Sequence, residues 1–451
     1  MPLPLSLPPV NFSSCRTFLA RVGDLDGINI LVSNKEGLDI LAETSRVEGW
    51  AFVRELRRTQ QGAIIIVAKV IFDRSMSEHY GSSSTSSTAS SGSSAVLSEY
   101  NTLNGKWFWV LPYEYRALKI DSKELVSAAQ IDISLGRHRD NALLDKSLLM
   151  LIGGCSSLCS SSTTTISKKA PKSLTLYSCM HDDVFFYYLL DYIEGGDLQS
   201  LCAKRIHAVN ACSGDSSLRS IEETLPVSES KLKKIFRDIF STLSFLHEQG
   251  FAHRDVSPEN ILIDTDGRGI LIDFGAAVQM TKKDKSITVD RFFSEAVNST
   301  MSESDEEEYI DGNTLDGWLP QSPPSGSPFC KLSYADPQYV WRQKWYGVAG
   351  DLFSAGITMF AAVEGAPLYA APSALDPRFS LLLPRKPSER EIESGSRVLE
   401  PRFREWMMNR HGEIISESFI DLVASLIRIA PEERPLSAAS VLCHRWFLEE
   451  D

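Results

Sequence analysis

The stretch FAHRDVSPENILIDTDGRGILIDFG, residues 251–275, decides the fold of this chain. Two short apolar runs, 261–263 and 270–272, flank a polar turn that contains a glycine, and this pattern predicts a small hairpin. Asn260 directly precedes the first run, and Asp273 directly follows the second. The hairpin therefore brings the side chains of Asn260 and Asp273 to the same end.

The residue types in this stretch indicate phosphate and metal chemistry. Mg²⁺ prefers hard oxygen ligands, and the amide of Asn260 and the carboxylate of Asp273 both supply them. A third group, Asp255, lies five residues before Asn260. A carboxylate beside metal-bound phosphate can orient an incoming hydroxyl group and accept its proton.

The motifs HRDVSPEN and DFG resemble those of the eukaryotic protein kinases. The resemblance implies an α+β, bilobal fold, with a small antiparallel β-sheet in the amino-terminal lobe and a mainly helical carboxy-terminal lobe. It also implies ATP and Mg as cofactors, and a protein substrate. Arg254 marks kinases in which a phosphate on the activation segment pairs with arginine, which implies an upstream activating kinase. Ser257 stands where serine/threonine kinases have a lysine that contacts the γ-phosphate.

Composition sets broad limits on the class of protein. The chain has 451 residues, of which 43% are hydrophobic and 23% charged, enough for a large core. The net charge of −13 argues against nucleic acid or an anionic membrane as the main partner. Eight cysteines without a regular pattern, and no secretory signal, favour a reducing compartment, cytoplasmic or nuclear.

The resemblance divides the chain into three parts. Residues 1–49 form an extension of unknown role, in which FLARV and INILV could be short strands. Residues 50–190 form the amino-terminal lobe with Ser-rich insertions, and residues 191–448 form the carboxy-terminal lobe. The activation segment, which starts at Asp273, contains a long acidic insertion at about 281–330.

The segments GWAFVREL and AIIIVAKVIF predict the hairpin that covers ATP in this family. The three glycine positions of the family turn read Arg57, Thr59 and Gly62, so only Gly62 is retained for close approach to phosphate. Ile64 takes the place of the valine that lies over the adenine.

Two lysines compete for the role of binding the α and β phosphates. Lys119, in the sequence Ala117-Leu118-Lys119, is favoured because 26 residues separate it from Asp145, whereas 76 separate Lys69 from Asp145. This choice predicts that residues 73–105, which include SSSTSSTASSGSS, form a disordered insertion.

Asp145 lies where the family has the helix C glutamate that pairs with this lysine. It belongs to a helical apolar pattern that ends in glycine at Gly154. Glu124 is the alternative partner, although DSKE at 121–124 is also typical of a capping box.

The sequence DYIEGGDL, 191–198, resembles the family hinge. The resemblance implies that adenine bonds to the backbone at Asp191 and Ile193, with Leu190 as gatekeeper. It further adds Leu262 and Ala117 to the ATP-binding set. Asp197 could bind the ribose hydroxyls, or it could be a charge at a helix N-terminus.

Further landmarks lie in the carboxy-terminal part. A core helix is predicted at 228–248, with apolar residues at three- and four-residue steps. Asp351, at a predicted helix start, is expected to cap the backbone at His253 and Arg254. Gln338 replaces the glutamate that pairs with a late arginine, Arg434, so a hydrogen bond is expected there in place of an ion pair.

The acidic insertion contains Ser302 and Ser304, each with an acidic residue three places later. This pattern suggests phosphorylation by an acid-directed kinase, although a solvated acidic loop would have the same composition. Ser322-Pro323 and Ser327-Pro328 suggest proline-directed sites.

The sequence therefore predicts a protein serine/threonine kinase that uses MgATP. Two alternatives stay open. A pseudokinase acting as a scaffold or allosteric partner would explain the missing glycines, Ser257 and Gln338. A small-molecule kinase of related fold would not be expected to carry Asp351 and Arg434.

Overall fold

The computed structural model describes residues 10–22, 25–33, 46–73, 96–102, 105–111, 114–134, 139–158, 171–203, 225–281, 331–383 and 402–449. The chain divides into two compact units. The sheet unit comprises 8–129 and 174–192, and the helical unit comprises 1–7, 130–173 and 193–451.

The sheet unit is built on one nine-stranded sheet. Its strands are β1 (Ser13–Val22), β2 (Leu25–Ser33), β3 (Arg46–Arg58), β4 (Gly62–Asp73), β5 (Val96–Thr102), β6 (Gly105–Leu111), β7 (Tyr115–Ser122), β8 (Leu176–His181) and β9 (Phe185–Asp191). Their order is β3-β2-β1-β8-β9-β7-β4-β6-β5, and β3 also pairs with β4. Seven strands therefore form a closed ring of pairings, and β5 and β6 extend from β4 outside the ring.

β1 and β2 close this ring. The start of β1 runs parallel to β8, with Ser13 opposite Met180, while β2 pairs with β3. Among the side chains that the structure describes, the core cluster of the sheet includes residues with at most 4% of their surface exposed: Cys15, Leu31, Val67, Leu118, Met180, Tyr187 and Leu189. The strands expected at FLARV and INILV are thus confirmed, and they contribute to the core of the sheet.

The α+β class is confirmed in outline, but the expectation of a small antiparallel sheet was wrong. The sheet is large, and its β1–β8 pairing is parallel. The five strands that the sequence assigned to the kinase lobe, β3, β4, β7, β8 and β9, leave unpaired edges at β3 and β8. The two preceding strands cover both edges.

The disordered insertion expected at 73–105 was also wrong in part. Val96–Thr102 pairs along its length with Gly105–Leu111, and β6 pairs further with β4. The β-branched and aromatic residues Val96, Tyr100, Trp107 and Trp109 favour strand structure in this segment. Residues 74–95, which hold the Ser-rich tract, lie outside the described residues.

The helical unit packs around one long amphipathic helix. Its described helices are α2 (Ala142–Leu158), α3 (Glu229–Glu248), α4 (Pro337–Val340), α5 (Gly347–Glu364), α6 (Phe403–His411), α7 (Glu417–Leu426), α8 (Ala438–Leu442) and α9 (Arg445–Leu448), while α1 (Lys123–Ser134) spans the boundary between the units. The predicted apolar face of α3 is confirmed, since Leu232, Ile235, Phe236, Ile239, Leu243 and Leu246 are all fully buried.

Two helix ends differ from the sequence expectations. α2 continues past Gly154 to Leu158, because a helix tolerates an isolated glycine at a cost of about 1 kcal/mol. α5 begins at Gly347, four residues before Asp351. This helix is apolar and long enough to cross a membrane by length and composition, yet 94% of it is buried inside the unit, as expected of a core helix.

Three groups of expectations lie outside the described residues. They are most of a polar insertion predicted at 203–224, most of a Ser/Thr-rich insertion predicted at 155–170, and the acidic part of the activation segment at 282–330 with Ser302, Ser304, Ser322 and Ser327.

Candidate active site

A two-stranded hairpin sets the geometry of the site. Strands β11 (Ile261–Ile263) and β12 (Gly269–Leu271) pair antiparallel, and the preceding short strand β10 (Phe251–Ala252) pairs with β13 (Val278–Gln279). The N–H of Ile272 donates to the carbonyl of Asn260 at 2.9 Å. Asn260 is therefore fixed opposite the residue that precedes Asp273, as the hairpin pattern predicted.

The side chain of Asn260 is bound to the loop that carries Asp255. Its Nδ2 donates to Oδ2 of Asp255 at 2.7 Å and to the backbone carbonyl of Asp255 at 2.8 Å. With the amide nitrogen held in this way, the amide oxygen is the group that a hard cation would contact. Asn260 is 1% exposed, so this orientation is held by a packed environment.

The donor set fits Mg²⁺ shared with phosphate. Among the described residues, no group of three His, Cys, Asp or Glu side chains could hold a metal ion by itself. Mg²⁺ at nucleotide sites uses one or two protein ligands together with phosphate oxygens. The amide oxygen of Asn260 and the carboxylate of Asp273 would be those protein ligands.

Asp273 has left-handed backbone geometry, with φ 68° and ψ 72°. Non-glycine residues in this region are uncommon and cluster at functional sites. The next residue, Phe274, is buried and packs edge-on against His253, with ring centroids 5.2 Å apart. The backbone bend at Asp273 therefore buries Phe274 against residues 253–260, called the catalytic loop.

Asp351, in α5, holds the catalytic loop from within the core. Its carboxylate accepts the N–H groups of His253 and Arg254, each at 2.7 Å, and Nε2 of His247 lies 2.8 Å away. The predicted cap is confirmed. These bonds stabilise Arg254 at its own positive φ of 67°, and the Nε of Arg254 donates to the carbonyl of Ala276.

The environment of Asp255 favours a proton acceptor. Burial raises the pKa of its carboxyl group, and the nearby Lys331 and His253 oppose that effect while Asp273 adds to it. Lys331 lies 3.5 Å from Oδ2 of Asp255. A raised pKa brings a carboxylate closer to the range in which general bases act near neutral pH.

Asp145, in α2, contacts the DFG turn. Its Oδ1 accepts the N–H of Phe274 at 2.9 Å, and its Oδ2 is ion-paired with Lys146, whose side chain is 1% exposed. Asp145 is 4% exposed, whereas the alternative, Glu124, is exposed at the start of α1. The pairing of Asp145 with Lys119 stays a prediction.

In the sheet unit, the two candidate lysines have different surroundings. Lys119 lies in the middle of β7 between Ile64 of β4 and Tyr188 of β9, and it is 6% exposed. Lys69, in β4, lies opposite Trp50 of β3 and is ion-paired with Glu48 at 3.3 Å and with Glu114 at 3.6 Å. The strand positions favour Lys119, because β7 directly follows the β3–β4 hairpin within the ring of strands.

The turn between β3 and β4 is closed by its own hydrogen bonds. The N–H of Thr59 donates to the carbonyl of Gly62, and the N–H of Gly62 donates to Oγ1 of Thr59, both at 2.9 Å. A Cβ on Gly62 would overlap the carbonyl of Ile120 in β7. Close strand packing therefore explains the glycine without phosphate.

The predicted hinge residues lie at a strand end. Leu190 is buried opposite Ala117 in the β7–β9 register, and the carboxylate of Asp191 accepts from the N–H of Thr175 and the hydroxyl of Tyr177, each at 2.7 Å.

In the helical unit, Asp197 forms a bridge with Leu262. Its Oδ1 accepts the N–H of Ser200 at 2.6 Å, so Asp197 is the N-cap of the helical residues 198–203. This is the second of the two roles considered for it. The roles of Ile193, Asp197 and Leu262 towards ATP stay predictions.

Arg434 has an ion-pair partner that the sequence analysis missed. Its Nη2 bonds to Oε1 of Gln338 at 3.0 Å, the expected hydrogen bond, but Nη1 lies 2.6 Å from Oδ2 of Asp336. Asp336 is 4% exposed and Arg434 is 3% exposed. Arg434 therefore does have an ion pair. Its carboxylate comes from Asp336, two residues before the position where the family has glutamate.

The fold and the site together define a class. The loop capped by Asp351, the hairpin between Asn260 and Asp273, and the buried Arg434 bonded to residues 336 and 338 resemble the parts of a protein kinase carboxy-terminal lobe.

Comparisons with known proteins agree with this class. Residues 163–302 match the family model described as protein kinase domain. The chain is 24% identical over 233 residues to Glycogen synthase kinase 1 of Pyricularia oryzae, covering 50% of this chain and 48% of the relative. It is 27% identical over 207 residues to Serine/threonine-protein kinase CHK1 of Saccharomyces cerevisiae, covering 46% and 29%. It is 28% identical over 211 residues to Serine/threonine-protein kinase Warts of Drosophila melanogaster, covering 45% and 17%.

The matched region spans about half of the first of these relatives and less than a third of the other two. Residues 163–302 thus match a protein kinase domain, and the named kinases among the relatives support the eukaryotic protein kinase superfamily.

Proposed function

We propose that this protein is a serine/threonine kinase that transfers the γ-phosphate of MgATP to a hydroxyl group of a protein substrate. The observation that carries the proposal is the double attachment of Asn260. Its side chain is hydrogen-bonded to Asp255, and its backbone is bonded to the residue before Asp273. A fold without phosphoryl transfer has no physical need to hold these three groups together.

Each residue of this group has a distinct role in the proposal. Asp255 orients the substrate hydroxyl and accepts its proton, which its raised pKa favours. Asn260 and Asp273 hold Mg²⁺, which when bound neutralises charge on the phosphate oxygens. Asp351 keeps the loop in place, because a misplacement of ~1 Å can lower a rate by ~10²-fold.

The choice of serine or threonine rests on the PEN of HRDVSPEN and on the names of the matched relatives. We extend the proposal to an upstream activating kinase, because Arg254 precedes Asp255, and to a cytoplasmic or nuclear location, because the cysteines have no secretory pattern.

The test is transfer of labelled phosphate from ATP to the protein itself and to a mixture of basic proteins. We expect Asp255→Asn to lower the rate by about 10²- to 10⁴-fold, the usual contribution of a general base. Asp266→Asn, an exposed carboxylate in the hairpin turn, is the matched control and should keep full activity. Equal transfer by the unsubstituted chain and Asp255→Asn would refute the proposal.

A non-catalytic scaffold is the second candidate, and the closed turn at Thr59 and Gly62 favours it. Two of the N–H groups in that turn are bonded within the turn, so they do not point freely at phosphate. The two candidates differ in one measurement. A scaffold would show no label transfer by the unsubstituted chain at any Mg²⁺ concentration, even if it binds nucleotide.

A further inference from the structure

The catalytic loop contains a serine where a positive charge is expected, and a lysine from elsewhere lies beside it. Ser257 is fully buried, and its Oγ accepts a hydrogen bond from Nζ of Lys331 at 2.7 Å. The same ammonium group lies 3.5 Å from Oδ2 of Asp255 and 3.1 Å from Oε2 of Glu259. Lys331 is 74 residues further along the chain, near the end of the activation segment.

The backbone fixes Lys331 in this position. Its carbonyl accepts the N–H groups of Tyr334 at 2.8 Å and of Ala335 at 3.1 Å, which closes a tight turn. The following Asp336 is held in the core by its ion pair with Arg434. The side chain of Lys331 is 33% exposed, so its partners do not enclose it completely.

The charge balance of the site explains why an ammonium would be needed there. Asp255, Asp273 and the partly exposed Glu259 are acidic, and the group to be transferred is itself an anion. Cationic groups aimed at a phosphoryl group in transfer are among the larger contributors to catalysis.

We infer that Lys331 is a catalytic residue whose ammonium group, held by Ser257, contacts the phosphoryl group in transfer and supplies the positive charge that position 257 lacks. The inference rests on the proposed kinase activity. In that reaction the substrate oxygen bonds to the γ-phosphorus, and the bond from the γ-phosphorus to the β–γ bridging oxygen breaks. The electron pair of that bond leaves with ADP, and the hydroxyl proton goes to Asp255.

A purely structural role makes different predictions. If Lys331 only neutralised Asp255 and Glu259, its removal would lower thermal stability, and a cation placed at residue 257 would have no reason to restore turnover. The two roles are therefore separated by an exchange of the two side chains.

The experiment uses the full chain and four variants: Lys331→Met, Lys331→Arg, the exchange variant Ser257→Lys with Lys331→Ser, and the control Lys344→Met. Lys344 is an exposed lysine of the same unit. The measurements are kcat, the KM for ATP, the thermal unfolding midpoint, and the affinity for MgADP with and without aluminium fluoride, which mimics the phosphoryl group in transfer.

We expect Lys331→Met to lower kcat by about 10²-fold, with the KM for ATP changed less than about threefold. Lys331→Arg should keep more activity than Lys331→Met, the exchange variant should recover at least about tenfold over Lys331→Met, and Lys344→Met should match the unsubstituted chain. Aluminium fluoride should strengthen MgADP binding to the unsubstituted chain but not to Lys331→Met.

Equal kcat for Lys331→Met and Lys344→Met would overturn the inference, and so would an exchange variant that unfolds at the normal temperature but is no more active than Lys331→Met. If the unsubstituted chain transfers no phosphate, the proposed function fails, and the fluoride measurement then decides about Lys331 separately. The inference would be overturned if aluminium fluoride failed to strengthen MgADP binding to the unsubstituted chain. It would also be overturned if aluminium fluoride strengthened binding equally in the unsubstituted chain and in Lys331→Met.

Discussion

Asp336→Asn tests the buried ion pair between Asp336 and Arg434. Removal of one partner from a buried ion pair typically destabilises a protein by about 3–5 kcal/mol, because the remaining charge stays buried. Arg434 would keep three backbone carbonyls, those of Ala349, Arg428 and Ile429, and the amide of Gln338. These acceptors satisfy its N–H groups but do not neutralise it, so we expect a loss of about 3 kcal/mol.

The assay is a urea titration followed by far-ultraviolet circular dichroism, which reports mainly on the helices. With a slope of about 2 kcal/mol per M, a loss of 3 kcal/mol lowers the midpoint by about 1.5 M. Glu433→Gln removes an exposed carboxylate next to Arg434 and is the matched control, with an expected change within about 0.5 kcal/mol.

A second substitution tests the reasoning more directly. Gln338 already bonds to Arg434, so Gln338→Glu in the Asp336→Asn background returns a carboxylate to the arginine and should recover at least 1 kcal/mol, roughly one charge-assisted hydrogen bond. A loss below about 1 kcal/mol for Asp336→Asn, or equal stability of the single and double variants, would refute the claim that Asp336 neutralises the arginine.

Three further substitutions test other parts of the structure. Gly62→Ala should destabilise the sheet unit by about 1–3 kcal/mol, measured by thermal unfolding, because the new methyl group meets the backbone of Ile120. Asp351→Asn should destabilise the chain by about 2–4 kcal/mol in urea and lower phosphate transfer, because two buried N–H groups lose a charged acceptor. Burial alone would raise the pKa of Glu364, but hydrogen bonds from His411 and a neighbouring arginine lower it from 4.5 to about 2. Its ionised form therefore contributes up to about 3 kcal/mol above pH 4.5, and this is lost as the pH falls towards 2, a dependence that Glu364→Gln should reduce.

Each of these has a control at an exposed residue: Gln60→Ala for the turn, Asp266→Asn for the core carboxylate and Glu413→Gln for the acid titration. An unchanged melting temperature for Gly62→Ala would contradict the close packing of β4 on β7. Wild-type stability of Asp351→Asn would contradict the capping role. An identical loss of stability between pH 5 and pH 2.5 with and without Glu364 would contradict the lowered pKa.

The sequence predicted local patterns well, because they depend on neighbouring residues. The hairpin after Asn260, the apolar face of α3 and the cap by Asp351 all follow from short-range spacing or from motifs quoted in the sequence. The same reasoning failed for 96–105, where the composition of a Ser-rich tract was extended too far into a segment that has its own strand pattern.

The sequence indicates that two charges of the family are missing, one at position 257 and one at position 338. In the structure, a charged residue from another position lies at each of these places. When the sequence is compared with the family one position at a time, Ser257 and Gln338 each replace an ionised residue by a neutral one. The ammonium of Lys331 and the carboxylate of Asp336 reach the same places from other positions. Such compensation depends on tertiary contacts, so the sequence contains no local signal for it, although an unassigned lysine and aspartate in KLSYADPQ were a reason to look.

The closed ring of strands determines how this protein can be shortened for laboratory work. A fragment that starts near residue 50, where the family resemblance begins, would lack β1 and β2. It would cut the ring open at β8 and β3 and remove Cys15 and Leu31 from the interior. Two open strand edges and an opened apolar interior favour self-association, so an expression clone designed from family boundaries alone would be prone to precipitate, whereas one that retains residues 10–33 would keep the lobe intact.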